Sequence, residues 1–276
     1  MDPLVSTNWL AEHLGEPGLT IVDASWHMSA TGRSGADEFR AAHIPGALFL
    51  DIDAVSDRDH PAPHMLPSPE AFGRAMGALG VGRDDRILVY DNSALRSAAR
   101  GWFTLRHFGA ERVSILDGGF QKWTAEGRAV ESGEPAPRHA RFDAGERGDV
   151  FAKPAILAGV DWPLIDARGA ARFEGVEADP RPGVAAGHIP GARNIPYAAL
   201  YRVDGTFRSA EELRRIFAEA GADPEAPFIA SCGSGVTAAS LLFAAHLLGN
   251  GAGALYDGSW SEWGADPATP KALGPA

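Results

Sequence analysis

The chain is poor in sulfur, in positive charge and in long apolar runs. One cysteine in 276 residues excludes an intramolecular disulfide framework and any Cys-rich zinc or iron–sulfur site. Twenty-five Lys and Arg stand against 36 Asp and Glu, a formal charge of −11. Nucleic acid and anionic membrane both need net positive charge at the contact, so neither is an expected partner. The most apolar stretch, Val236–Leu248, is 13 residues long and carries His246. That is too short for a bilayer and reads as a buried helix. The N-terminal MDPLVSTNWLAEHL has no cationic region and no long apolar segment, so no secretory signal is expected. A reducing, cytoplasmic setting is the corresponding expectation. The 45% hydrophobic and 22% charged composition is ordinary for globular chains and excludes chain-wide disorder.

What the chain does contain is an internal repeat. His43-Ile44-Pro45-Gly46-Ala47 returns as His188-Ile189-Pro190-Gly191-Ala192, and Ile21-Val22-Asp23-Ala24 is matched by Leu164-Ile165-Asp166-Ala167. Asp117-Gly118-Gly119-Phe120 is matched by Asp257-Gly258-Ser259-Trp260, each followed by a further Trp, Trp123 or Trp263. Three ordered matches at offsets of 145, 143 and 140 residues mean two similar domains rather than a solenoid, whose period is about 20–50 residues. Residues 129–150 are rich in Gly, Pro and charge without an apolar period, which reads as a polar, surface-exposed linker. The expected division is a domain over 1–128, a linker over 129–150 and a second domain over 151–276.

Within each half, short apolar runs alternate with helical patterns. Strands are expected at Thr20–Asp23, Ala47–Leu50, Ile87–Tyr90 and Val113–Leu116, then at Leu164–Asp166, Ala192–Ile195, Phe228–Ser231 and Ala254–Tyr256. Helices are expected at Pro69–Leu79, Leu95–Phe108, Ser209–Ala220 and Thr237–Leu248. The alternation predicts an α/β fold, each domain a mostly parallel sheet flanked by helices on both faces. Ligands of such sheets bind where strands hand over to helices.

One such turn holds the lone cysteine, in Ser231-Cys232-Gly233-Ser234-Gly235-Val236-Thr237-Ala238. Two glycines in the next three positions let the backbone curl tightly. Main-chain N–H groups of Gly233, Gly235, Val236 and Thr237 become candidate anion-binding donors, and the helix that follows adds partial positive charge. A thiol held there is favoured as thiolate, a candidate nucleophile. The bland alternative is an inert core cysteine, which needs neither glycine. The first repeat has Asp91 in the equivalent slot and no glycine in Asn92-Ser93-Ala94, so it is expected to keep the fold without the nucleophile. A phosphatase loop would need Arg where Ala238 stands, and a phosphate loop for nucleotides would need a Lys after its glycines. His60 and His64 are four apart, but Pro61 and Pro63 forbid the helix that would pair them on a metal, so no metal site is expected. His43 and His188 occur in both copies although only one copy has the cysteine, which favours a fold-maintaining role.

The two HIPGA motifs, the CGSGVTA loop and the DGSWSEW ending resemble the tandem-domain sulfurtransferases of the rhodanese superfamily over nearly the whole chain. Within that family the loop is similar to the branch acting on 3-mercaptopyruvate. The thiosulfate branch typically carries Arg and Lys where this chain has Gly233 and Ser234. The resemblance implies sulfur transfer without cofactor or metal, from a small anionic donor through a persulfide on Cys232 to cyanide or a thiol acceptor such as thioredoxin, with pyruvate released. Thiosulfate as donor, and a non-catalytic sulfur-binding module, are the alternatives. It also implies a relay of Ser234, His64 (in His64-Met65-Leu66-Pro67) and Asp53 (in Phe49-Leu50-Asp51-Ile52-Asp53), with the first domain supplying the last two. Arg172 and Arg181 match the family's substrate-holding arginines, and planar carboxylates favour Arg for its two parallel donors.

Overall fold

The computed structural model describes residues 1–136 and 139–276; residues 137 and 138, inside the expected linker, lie outside the described residues. The first half contains β1 (Leu4–Val5), α1 (Thr7–His13), β2 (Leu19–Asp23), α2 (Gly35–Ala41), β3 (Leu48–Phe49), α3 (Pro69–Leu79), β4 (Arg86–Tyr90), α4 (Ala98–His107), β5 (Val113–Leu116) and α5 (Gly119–Ala125). The second contains β6 (Val150–Phe151), α6 (Lys153–Leu157), β7 (Leu164–Asp166), α7 (Ala170–Phe173), β8 (Arg193–Asn194), α8 (Ala210–Glu219), β9 (Ile229–Ser231), α9 (Ala238–Leu247), β10 (Ala254–Tyr256) and α10 (Ser259–Trp263). Among the described residues, no helix is long and apolar enough to cross a membrane.

The strands form two five-stranded sheets of the same order, β1-β5-β4-β2-β3 and β6-β10-β9-β7-β8. The pairings within both are parallel. Strands such as Ile87–Tyr90 and Ile229–Ser231 are buried throughout and read as short continuous runs, because helices cover parallel sheets. Asp23 lies opposite Tyr90, and Asp166 opposite Ser231, so the repeat seen in the sequence is a repeat of register. The two-residue edge strands β1 and β6 carry no alternation to betray them. They exist through pairing with β5 and β10.

Helix ends follow local chemistry. Ser68 Oγ accepts from Ala71 N, Pro69 opens α3, and Gly80 closes it at φ +89°, the left-handed position that favours glycine. A capping box between Ser209 and Glu212 opens α8. Helix α4 starts at Ala98 rather than at the expected Leu95. Arg96 has φ +54°, which a helix cannot include.

Each sheet carries its own core. Trp123 packs with Ile44, Phe39 and Leu116 in the first, and Trp260 and Trp263 with Ile189 and Phe173 in the second. Their buried indole N–H groups donate to the carbonyls of Ala129, Ala185 and Pro270, as buried tryptophan requires. The two HIPGA histidines do one structural job twice. His43 stacks on Phe39 and donates Nδ1–H to its carbonyl at 2.7 Å. His188 does the same with Phe173 at 2.9 Å. Each also exchanges main-chain hydrogen bonds with a distant segment, His43 with Glu131 and His188 with Ala272.

The chain resolves into two compact units, Met1–Val55 with Leu66–Gly148 and Arg202–Phe207, and Ser56–Met65 with Asp149–Tyr201 and Arg208–Ala276. Two excursions therefore depart from a simple halving of the chain. His64, expected in the first domain, rides on a segment grouped with the second unit. The expected linker also differs from plain exposed chain. Phe142 is buried against Phe72 at 5.3 Å between ring centres, and Ala140 N donates to Gly77 O. Gly73 and Gly77, one turn apart on α3, make this approach possible. A Cβ on either would lie 2.6 Å from Phe142 O or 2.9 Å from Ala140 O.

The equivalent aspartates of the two repeats have opposite fates. Asp166 forms a bidentate pair with Arg168. Asp23 has the neutral Ser25 in place of the arginine, and its Oδ1 accepts from the Ser25 main-chain N–H at 2.8 Å. Burial pushes the Asp23 carboxyl up to about 7, against the opposing hydrogen bonds from Ser25 and Tyr90. The folded state thus binds a proton that the unfolded chain, with its value near 3.8, has released. The stability contributed by this group is complete below that value and is lost as pH rises through about 7. Asp23→Asn is expected to flatten the fall in thermal unfolding midpoint between about pH 5 and 7. An unchanged pH slope would show that the carboxyl is ionised inside the fold.

Candidate active site

Cys232 is the first residue after β9, and α9 begins six positions later at Ala238. Its side chain is a free, buried thiol. The turn between strand and helix is held from outside by the start of α10. Trp260 N donates to Cys232 O at 3.0 Å, and Ser261 N to Gly233 O at 2.8 Å. Ser259 Oγ accepts from both Cys232 N and Gly235 N at 3.1 Å and donates to Tyr256 O at 2.9 Å. Ser259 itself has φ +50°, a left-handed conformation that costs a non-glycine residue about 1–3 kcal/mol. Three hydrogen bonds on one hydroxyl over-determine it.

These bonds divide the loop's donors. The main-chain N–H groups of Gly233, Ser234, Val236 and Thr237 have no acceptor among the described residues. Those four face no internal competitor for an anion. Gly235 differs from the sequence expectation. Its N–H is engaged by Ser259, and its contribution is the turn itself, at φ +77°.

Ser234 and His64 are brought together. Ser234 Oγ and His64 Nδ1 are 2.8 Å apart, and both residues are buried. His64 stands at φ +63° on a segment closed by Asp57 N donating to Met65 O at 2.8 Å. His60 is engaged locally, accepting from Ala62 N. Asp53 lies in the first unit, where Trp26 Nε1 donates to both its carboxylate oxygens at 3.0 Å.

Arg172 and Arg181 stand beside the loop. A Cβ built on Gly233 would lie 3.2 Å from Arg181 Nη1 and 3.6 Å from Arg172 Nη2. Gly233 is thus a glycine of space rather than of backbone conformation. Both guanidiniums reach Asp179, Arg172 at 2.6 Å and Arg181 at 3.4 Å. Asp179, Ser259 and Trp26 escaped the sequence reading. A faint signal existed for Ser259, which replaces the Gly119 of the first copy.

The first unit shows the same scaffold with its chemistry removed. Phe120 N donates to Asp91 O at 2.9 Å, as Trp260 N does to Cys232 O. A Cβ on Gly119 would lie 2.5 Å from Asp91 O. The Asp91 side chain folds back into its own loop. Oδ1 accepts from Ser93 N at 2.8 Å and Oδ2 from Ala98 N, at the start of α4, at 2.7 Å. A carboxylate of the chain fills the place prepared for an anion. Burial nevertheless raises its pKa.

The rhodanese-like domain profile matches this chain twice, over residues 6–126 and 153–266. The chain belongs to the rhodanese-like family. Among curated relatives, the 3-mercaptopyruvate sulfurtransferase of Escherichia coli K12 is 45% identical over 268 residues, spanning 95% of this chain and 94% of that one. The thiosulfate sulfurtransferase of Cricetulus griseus is 40% identical over 271 residues, spanning 94% and 91%. Among solved structures, SseA from Escherichia coli, a 3-mercaptopyruvate sulfotransferase of rhodanese fold, superposes with a TM-score of 0.86 at 42% identity, covering 95% of this chain and all of that one.

Ser259→Ala leaves two buried N–H groups, those of Cys232 and Gly235, without their acceptor. It is expected to lower stability by about 1–3 kcal/mol in equilibrium unfolding. A variant as stable as the parent would mean that the hydroxyl does not hold the turn.

Proposed function

We propose that this protein is a sulfurtransferase that takes sulfur from 3-mercaptopyruvate through a persulfide on Cys232 and releases pyruvate. The observation that carries this reading is the Cys232 loop, with four unengaged N–H donors, Ser234 bonded to His64 and two arginines beside Gly233. Relatives bearing that activity in their names support it.

The Cys232 thiolate attacks the thiol sulfur of the donor. The new S–S bond forms as the C–S bond breaks, and the electron pair passes to carbon as the enolate of pyruvate. A proton delivered to that carbon completes pyruvate. Ser234, hydrogen-bonded to His64, delivers it. Such proton transfer contributes about 10²–10⁴-fold. Arg172 and Arg181 hold the donor's carboxylate and carbonyl oxygens, and Gly233, Val236 and Thr237 offer main-chain N–H groups to developing negative charge. With no second cysteine in the chain, the outer sulfur leaves to an external acceptor, a thiol such as that of a dithiol protein of thioredoxin type, or cyanide.

Thiosulfate is the second reading for the donor, favoured by the hamster relative named for it. Two arginines beside Gly233 offer the paired planar donors that suit a keto acid carboxylate. Incubation with 3-mercaptopyruvate is expected to release pyruvate and add one sulfur atom to Cys232, seen by mass spectrometry. Absence of the adduct, or a Cys232→Ser variant as active as the parent, would refute the assignment. Turnover of the two donors side by side decides between them. Arg172→Ala and Arg181→Ala are each expected to cost about 1–3 kcal/mol in kcat/KM for 3-mercaptopyruvate.

A further inference from the structure

The two arginines beside the loop share one carboxylate that the reaction itself does not require. Asp179 Oδ2 accepts from Arg172 Nη2 at 2.6 Å. Asp179 Oδ1 accepts from Arg181 Nη1 at 3.4 Å and from the Arg181 main-chain N at 3.0 Å. The Asp179 side chain is 1% exposed, against 20% for Arg172 and 27% for Arg181. The carboxylate is therefore the buried member and the guanidiniums the accessible ones. A buried charge is tolerated only when paired and hydrogen-bonded. Here the pairing is in excess, since two cations meet one anion and the cluster keeps one positive charge. Arg172 Nε is buried with no partner among the described residues, so Asp179 and not Nε fixes that guanidinium.

Long arginine side chains have many rotamers, and two of them with like charge repel. Left alone, they would drift into solvent. Asp179 removes both problems, and the Asp179-Pro180-Arg181 sequence adds a rigid φ between the acid and the second arginine. Gly233 leaves space for the result, with Arg181 Nη1 only 3.2 Å and Arg172 Nη2 3.6 Å from where its Cβ would be.

We propose that Asp179 is a positioning residue. It holds Arg172 and Arg181 as one preformed clamp against the Cys232 loop, so that a carboxylate-bearing donor meets fixed guanidiniums with a net charge of one. This rests on the sulfur-transfer reading for its substrate, but its test does not. Asp179→Asn removes the charge, and Asp179→Glu keeps it at a different reach.

The readout is the rate of Cys232 alkylation by iodoacetate, which carries a carboxylate, relative to neutral iodoacetamide, on the full-length protein. The ratio is expected to fall by about tenfold in the Asn variant and less in the Glu variant, with the circular dichroism spectrum unchanged. KM for 3-mercaptopyruvate is expected to rise in the same order, more than kcat falls. A folded Asn variant whose ratio equals that of the parent overturns the proposal. So does one whose ratio rises, which would make Asp179 only a brake on positive charge. If the Asn variant does not fold, the Glu variant decides alone by the same criterion. A purely structural carboxylate would lower the unfolding midpoint and leave the ratio where it was. Lack of turnover in the parent protein would refute the donor assignment, while the alkylation ratio would still judge Asp179.

Discussion

Everything this site does depends on main-chain hydrogen bonds that fasten one turn to another. The turn after β9 cannot hold itself, because a strand-to-helix loop with two glycines has many conformations. The segment 259–261 selects one by binding the carbonyls of Cys232 and Gly233 and the amides of Cys232 and Gly235. One of the two carbonyl bonds has its counterpart in the first unit, from Phe120 N to Asp91 O. The strand, the turn and this bond are therefore common to both copies, and the thiol stands in one of them.

The chain carries an excess of acid, and its buried carboxylates show four ways of living without water. Asp166 has a bidentate arginine. Asp179 has two arginines and shares them. Asp91 takes main-chain amides at a helix start. Asp23 has the Ser25 amide but neither an arginine nor a helix start, and burial pushes its carboxyl up to about 7. What differs among them is the partner available to offset desolvation. It also explains how a protein with a formal charge of −11 can present a locally cationic site to an anion. The field that matters is set by groups within a few ångströms of the loop.

Much of this was legible in the sequence wherever the cause is local. Helix α3 begins and ends where Ser68, Pro69 and Gly80 say it must. The repeat announced two sheets of one topology. Cys232 stood out because its neighbours are residues that only a tight turn needs. Illegible parts have causes distant along the chain. The edge strands β1 and β6 are defined by partners about a hundred residues away. The start of α4 is set by the Asp91 carboxylate and by Arg96 at φ +54°. Phe142 looked like one apolar residue in a polar stretch until two glycines of α3 gave it a seat. Ser259 and Asp179 work on groups that the fold, not the spacing, brings to them.

The self-filled loop of the first unit differs from the Cys232 loop by more than one side chain. Relative to the second copy, the path from strand to helix there is one residue longer, since Asp91 stands seven positions before α4 and Cys232 six before α9. It also holds Asn92 and Ala94 where the other has glycines. Exchange of Asp91 for cysteine alone would meet the wrong loop length and side chains in place of bare backbone. Installing the chemistry there would need a deletion and several substitutions together, in a loop whose amides are satisfied by its own carboxylate. The first copy is thus separated from the chemistry of the second by loop length and backbone space as well as by the missing thiol.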